Sequence, residues 1–295
     1  AGRLVAALGA RSIACDVYDR IAGEPGEESA HDAIAAATAA PYDGVVGVGG
    51  GSALDTAKLC ALFAAHGGRL LDYVNRPIGE GRQVPGPVLP LVAVPTTSGT
   101  GSEVTSVIVL DFPRLGLKTG ISHRYLRPRV AIVDPELSLS CPRGVTAAAG
   151  LDALAHALEA YTARPYGARP QAAPEERPPY VGAAPLTEAL CAQAIRLIGR
   201  SLRRAVADGG DREARREMAL AATTAGVGFG NAGVHVPHAL AYPIASLKHA
   251  WSPPGYPGGA QFVPHGLAVA VTSPASYRLL ADAAPTACRE AARLL

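Results

Sequence analysis

The chain has 295 residues, 48% of them hydrophobic and 18% charged, with 33 Gly and 25 Pro. That length buries a sizeable core, and the apolar share excludes disorder as the global state. With 27 Lys and Arg against 25 Asp and Glu, no electrostatic footprint for nucleic acid exists, and no apolar run is long enough for a transmembrane helix, so neither nucleic acid nor a membrane is expected as a partner.

The opening stretch, AGRLVAALGARS, has no charged head, apolar stretch and cleavage site in sequence, so no secretory signal is read. It also lacks an initiator Met, and the chain reads as a fragment. A helix-like stretch, HDAIAAATAAPYDG, leads into the apolar run GVVGVG at 44–49, a Gly turn and the amphipathic stretch ALDTAKLCALFAAHGG. Gly67 and Gly68 there act as a helix stop. A second apolar run, VLPLVAVP, ends in the small-residue turn TTSGTGSE, and VTSVIVLD then reads as a strand. Strand–turn–helix units of this kind predict an α/β layer with a mostly parallel sheet.

From about Gly144 the texture changes. VTAAAGLDALAHALEAY, PLTEALCAQAIRLIGRSLRRAVAD and DREARREMALAATTAGVGFG are long, Ala/Leu-rich and helical in period. A boundary is expected near 140–145, giving an α/β domain over 1–143 and an all-α domain over 144–295. The Pro-rich stretch 163–185 interrupts the helices without forming a domain. Arg196, Arg200, Arg203 and Arg204 recur at helical spacing and predict a solvated face. Five cysteines (Cys15, Cys60, Cys141, Cys191, Cys288), each at least 45 residues from the next, suggest neither a disulfide framework nor a thiolate metal site. They point to a reducing, intracellular compartment.

Gly50, Gly51 and Ser52 sit between a strand and a helix start. Glycines there let the backbone approach a pyrophosphate, and the first N–H groups of the helix bind the anion. The pattern is neither a P-loop nor a regular G-x-G-x-x-G fingerprint, and a tight strand–helix connection reads equally well from it alone. The turn Pro95–Glu103 carries the same ambiguity, but its five hydroxyls around two glycines exceed what a turn needs. Two such turns after two parallel strands favour a nucleotide site. Only Lys58, Lys118 and Lys248 are Lys among the basic residues.

Asp152 and His156 lie four apart on one helical face. One reading is a helix-capping Asp with a satisfied, half-buried His. The other joins them to His235, His238 and His265 further on, because one carboxylate and two or three imidazoles make a site for a borderline divalent metal.

The blocks GGGSALDTAK, AVPTTSGTGSE, DPELSLSCP, GLDALAHALEAYT, HALAYP and PHG occur in the order seen in iron-containing (group III) alcohol dehydrogenases, and over nearly the whole chain the sequence resembles that family. GFGNAGVHVPHALAYPI, the insert before FVPHGLAVAVTSPA and the Pro-rich stretch look like its hydroxyacid–oxoacid transhydrogenase branch. The resemblance implies an N-terminal α/β dinucleotide-binding domain and an all-α metal-binding domain, with the metal in the cleft between them. It implies Fe²⁺, with Zn²⁺ as the alternative, on Asp152, His156, His238 and His265. It places NAD(H) on Gly50, Gly51, Ser52, Asp55, Thr96 and Thr97, with Lys118 near the ribose. Lys58 closes the first motif, with a helix-surface role as the competing reading. Tyr242, where the broader family has His, is a candidate proton relay, and His235 a candidate for a substrate or supporting role.

In that branch the reduced cofactor stays bound: 4-hydroxybutyrate gives succinate semialdehyde while 2-oxoglutarate becomes 2-hydroxyglutarate. Small hydroxy and oxo acids are thus the expected partners, with Lys248, Arg164 and His235 as candidate carboxylate anchors. The nearest alternative is a dehydrogenase of the same family that releases NADH, and the alternative of another class is a truncated, non-catalytic shell. Family chains carry further segments at both ends, so the resemblance implies truncation. It also implies a homo-oligomer, in the cytoplasm, or in the mitochondrial matrix if the source is eukaryotic.

Overall fold

The computed structural model describes residues 2–21, 23, 25–173, 177–247, 250–259 and 261–295. In chain order these form α1 (Gly2–Gly9), α2 (Glu27–Ala37), β1 (Val45–Gly49), α3 (Gly51–His66), α4 (Leu70–Tyr73), β2 (Leu91–Pro95), β3 (Val107–Phe112), β4 (Leu117–Ser122) and β5 (Val130–Ala131). Helices then take over: α5 (Arg143–Thr162), α6 (Pro185–Ala207), α7 (Arg212–Ala232), α8 (Val236–Ser246), α9 (His265–Ala283) and α10 (Pro285–Leu294).

The two apolar runs bounded by glycine-rich turns become the parallel strands. β1 pairs with β2 from Val45–Leu91 to Gly49–Pro95, and the short β5 adds to the far edge of β2. The stretch VTSVIVLD does form a strand, but in an antiparallel hairpin with β4, Val107 opposite Ser122 and Phe112 opposite Leu117. The physical reason is connection length. A parallel neighbour needs a crossover of a dozen or more residues, usually a helix, whereas Pro113–Gly116 allows only a tight reversal.

α3 is buried nearly all round because it lies between the two sheets. Leu59, Leu62 and Phe63 pack into a cluster with Ile108, Leu110, Phe112 and Ile121 of the hairpin. On the other side, Ala57 and Ala61 pack with Leu91 on the parallel sheet. Each of the large side chains contributes about 1.5–3 kcal/mol by leaving water. The opposite face of the parallel sheet carries Val46, Val48, Val130 and Ile132, all exposed.

The helical region is built around α5. Ala153, Ala157 and Ala160 meet α6 and α7 through Ile195, Leu197, Met218 and Ala225, while Ala155 meets Ala241, Ala268 and Val269 of α8 and α9. Alanine at these contacts lets the backbones come close, which draws buried side chains of α5, α8 and α9 to one place. Arg196, Arg200, Arg203 and Arg204 are exposed on α6, with Arg200 paired to Glu217 and Arg204 to Asp211 and Glu213. Among the described residues, no helix is long and apolar enough to cross a membrane.

Candidate active site

The two small-residue turns meet at the carboxyl ends of the parallel strands, the customary position for a nucleotide in an α/β sheet. β1 ends at Gly49, and α3 begins at Gly51 behind an N-cap, Gly50, that has no side chain to bond the first-turn N–H groups. Those donors and the positive end of the helix suit an outside anion. The Thr96 N–H donates to the Gly49 carbonyl at 2.9 Å and ties the second turn to the first. A Cβ on Gly51 would stand 2.7 Å from Thr100 Cγ2, so glycine is what lets the turns close on each other. Gly50, Gly51, Ser52, Thr96 and Thr97 therefore share one partly open end of the sheet. Lys118 stands on β4 opposite Asp111, and β4 is the strand that packs against α8.

Asp55 turns inward instead. Its Oδ1 accepts from the Ser102 hydroxyl at 2.5 Å and from Lys58 Nζ at 3.2 Å, and its Oδ2 accepts the Val109 N–H at 2.8 Å. The surface reading of Lys58 is wrong: the side chain is fully buried, because α3 offers no outer face at that position. Its Nζ also donates to Ser102 Oγ at 2.7 Å, Thr105 Oγ1 at 3.2 Å and the Val107 carbonyl at 2.7 Å. Burial pushes the Lys58 ammonium below its ordinary range while Asp55 opposes the shift. This network joins the helix of the first turn to the end of the second.

Three helices bring the candidate metal ligands together. Asp152 Oδ1, on α5, lies 3.5 Å from His238 Nε2 on α8 and 3.7 Å from His265 Nε2 at the start of α9. One ligand atom from each of the three falls within 4.8 Å of the others. His156 Nε2 is 3.8 Å from Asp152 Oδ1 but lies outside that group of three, its ring stacked on Phe229 and His238 at centroid distances of 3.9 and 4.6 Å. Asp152 Oδ1 and His238 Nε2 are buried and lack a hydrogen-bond partner among the described residues. Buried polar atoms left without a hydrogen bond are costly unless something binds them, and the donor set of carboxylate and imidazole suits a divalent transition metal. Burial opposes charge on Asp152, yet His156, His265 and His238 hold its carboxyl below the usual range. Burial drives the His156 imidazole down to about 4. Against burial, Asp152 and Glu159 raise His238 to about 9.

The other sequence candidates separate. The Tyr242 ring stacks on His265 at 5.6 Å and so borders the centre. His235 caps α8 through Nδ1, which accepts the Val236 N–H, and its Nε2 meets Thr162 Oγ1 at 3.0 Å. Arg164 is exposed and donates to the Ala168 carbonyl four residues on. Lys248 lies outside the described residues.

Two residues escaped the sequence reading. Glu159, wholly buried, accepts from His238 Nδ1 at 2.6 Å and from the His235 N–H at 2.6 Å. Its signal was present: Asp152, His156 and Glu159 follow i, i+4, i+7 as a polar stripe on an apolar helix. Tyr180 comes from the Pro-rich segment, and burial above all, with Tyr242 and Asp55, pushes its hydroxyl up. No periodicity marks it.

The description "Iron-containing alcohol dehydrogenase" matches residues 1–135, and "Fe-containing alcohol dehydrogenase family, C-terminal" matches residues 179–295. A mitochondrial hydroxyacid–oxoacid transhydrogenase of Xenopus tropicalis is 45% identical over 287 residues, 96% of this chain and 62% of that protein. The chain spans about three fifths of the length of the curated relatives it matches. Among solved structures, 1,3-propanediol oxidoreductase is 33% identical with a TM-score of 0.78, covering 99% of this chain and 74% of that one. Sulfoacetaldehyde reductase from Bifidobacterium kashiwanohense, solved in complex with NAD⁺, is 27% identical with a TM-score of 0.74, covering 99% and 75%.

Proposed function

Because the chain belongs to the iron-containing alcohol dehydrogenase family, we propose that it moves hydride between a hydroxy acid and an oxo acid by way of a retained NAD. The substrate pair is 4-hydroxybutyrate with 2-oxoglutarate, giving succinate semialdehyde and 2-hydroxyglutarate, and the compartment is the mitochondrial matrix if the source is eukaryotic. Residues 1–143 hold the dinucleotide and residues 144–295 the metal. The observation that carries the reading is the buried pair of unpartnered atoms, Asp152 Oδ1 and His238 Nε2, with His265 Nε2 beside them.

When bound, a divalent cation supplies Lewis acidity toward a substrate oxygen and the nicotinamide takes or returns the hydride. Asp152 provides the anionic ligand, His238 and His265 provide nitrogen lone pairs, and His156 completes the set. His265, the least buried of these residues, leaves the side from which substrate enters. Gly50, Gly51, Ser52, Thr96 and Thr97 hold the pyrophosphate on the N-terminus of α3. The ligand set alone favours Zn²⁺ over Fe²⁺ in affinity, so iron rests on the family. Tyr242, stacked on His265, relays the substrate hydroxyl proton. Tyr242→Phe is expected to slow turnover roughly a hundredfold with metal content unchanged, in the range of general acid–base contributions. An unchanged rate would remove Tyr242 from the mechanism.

The test uses the full chain loaded anaerobically with Fe²⁺ and mixed with 4-hydroxybutyrate and 2-oxoglutarate, without added NAD. Many turnovers of 2-hydroxyglutarate per chain are expected. NADH release on an alcohol, seen only once NAD is supplied, would make it a plain dehydrogenase. Silence in both assays would overturn the enzymatic reading.

A further inference from the structure

Behind His238, on the side away from Asp152, the helix interior holds a carboxylate with no exposed surface. Glu159 sits two turns beyond Asp152 on α5, and its two oxygens are divided between two donors of the α8 entrance. Oε1 is 2.6 Å from His238 Nδ1, and Oε2 accepts the His235 backbone N–H at 2.6 Å. An ionised carboxylate only accepts, so the hydrogen on Nδ1 belongs to His238. In the neutral ring that leaves the lone pair on Nε2, the atom 3.5 Å from Asp152 Oδ1. The neighbouring imidazole differs: His156 Nδ1 is buried with no hydrogen-bond partner among the described residues.

We propose that Glu159 is the positioning residue of the metal centre, its two oxygens fixing the tautomer and rotation of His238 so that Nε2 faces the cation. The proposal rests on the metal reading given above. A carboxylate is required, and glutamine is a poor copy. With its oxygen toward His238, a glutamine turns its NH₂ against the His235 N–H, donor against donor. With its NH₂ toward His238, it asks Nδ1 to accept, which puts the hydrogen on Nε2 where the metal should bind. Aspartate keeps the charge but is one methylene too short to hold both donors. His235 then acts through its backbone, whose N–H anchors Oε2, while its ring is occupied by Val236 and Thr162.

The full chain, stripped of metal, is titrated with Co²⁺ as wild type, Glu159→Gln and Glu159→Asp, following the visible Co²⁺ absorption and the melting of the metal-free proteins. Wild type is expected to bind one Co²⁺. Glu159→Gln is expected to bind it roughly 10- to 100-fold more weakly with altered absorption bands, and Glu159→Asp to fall between the two. Equal affinity and unchanged bands in Glu159→Gln, even with a lowered melting temperature, would overturn the proposal and leave a packing role. Wild type that takes up no metal would instead overturn the metal reading, and this proposal with it. If Glu159→Gln does not fold, ¹H–¹⁵N correlations of Zn²⁺-loaded wild type decide: a protonated Nδ1 with Nε2 bound to metal on His238 is expected, and coordination through Nδ1 overturns the proposal.

Discussion

A lysine ammonium with no exposed surface is tolerable only if its donors are used, and Lys58 spends them on Asp55, Ser102, Thr105 and the Val107 carbonyl. Replacing it with Met keeps the volume of the stem but leaves the Asp55 carboxylate buried without its cation. Removing one partner of such a pair costs about 3–5 kcal/mol, because the other charge stays behind. Lys58→Met is therefore expected to lower stability by about 3 kcal/mol in denaturant melts. NAD affinity should fall with it, since Ser102 ends the second nucleotide turn. A change below about 1 kcal/mol would mean that the network contributes little. This pair also shows where sequence reasoning stops. Asp55 and Lys58 sit in a motif that resembles a cofactor loop, and their spacing says only that they share a helical face. That α3 has no wet face follows from a second sheet packing on it, which the linear pattern does not display.

At the scale of elements, the proposed metal cluster depends on how closely α9 approaches α5. A Cβ on Gly266 would stand 2.0 Å from the Ala148 carbonyl oxygen and 2.8 Å from Asp152 Cβ, so no side chain fits without a shift of backbone. Gly266→Ala is expected to push the first turn of α9, and His265 with it, away from Asp152. Overpacking of this kind costs about 1–3 kcal/mol. The larger effect should be a metal affinity reduced at least tenfold, read by chelator competition. Affinity equal to wild type would show that His265 is placed by something other than this contact. The sequence made the elements themselves legible: β1 and β2 as apolar runs ending in small-residue turns, and α5 as a long Ala-rich stretch. The hairpin partner β4 was not legible, because LKTGIS alternates too weakly, and β5 is only two residues long. Within the site, Asp152, His238 and His265 were marked by residue type, whereas Glu159, on the same stripe as Asp152 and His156, has a spacing that a solvated helix face would share.

For the molecule as a whole, the two halves of the site are held by different elements. The proposed nucleotide turns rest on β1, β2, α3 and the Asp55–Lys58–Ser102 network, while the proposed metal residues rest on α5, α8 and α9. The two sets of elements are joined by contacts of α7 with the turn after β2 and of α8 with β4. Nothing in the first set is bonded to Asp152. Removing that ligand should therefore erase metal binding and leave the nucleotide turns intact. A ligand present at a hundred times its Kd stabilises the folded state by about 2.7 kcal/mol, which for a chain of this size raises the melting temperature by roughly 5–10 °C. Asp152→Ala is expected to bind no divalent metal and to show the same NAD-induced rise as wild type. Loss of the NAD effect in Asp152→Ala would mean that the metal centre orders the cleft, so that dinucleotide binding requires it. A rise of equal size would mean that the two halves bind independently, as their separate supports lead one to expect, because no side-chain contact then carries a coupling between them.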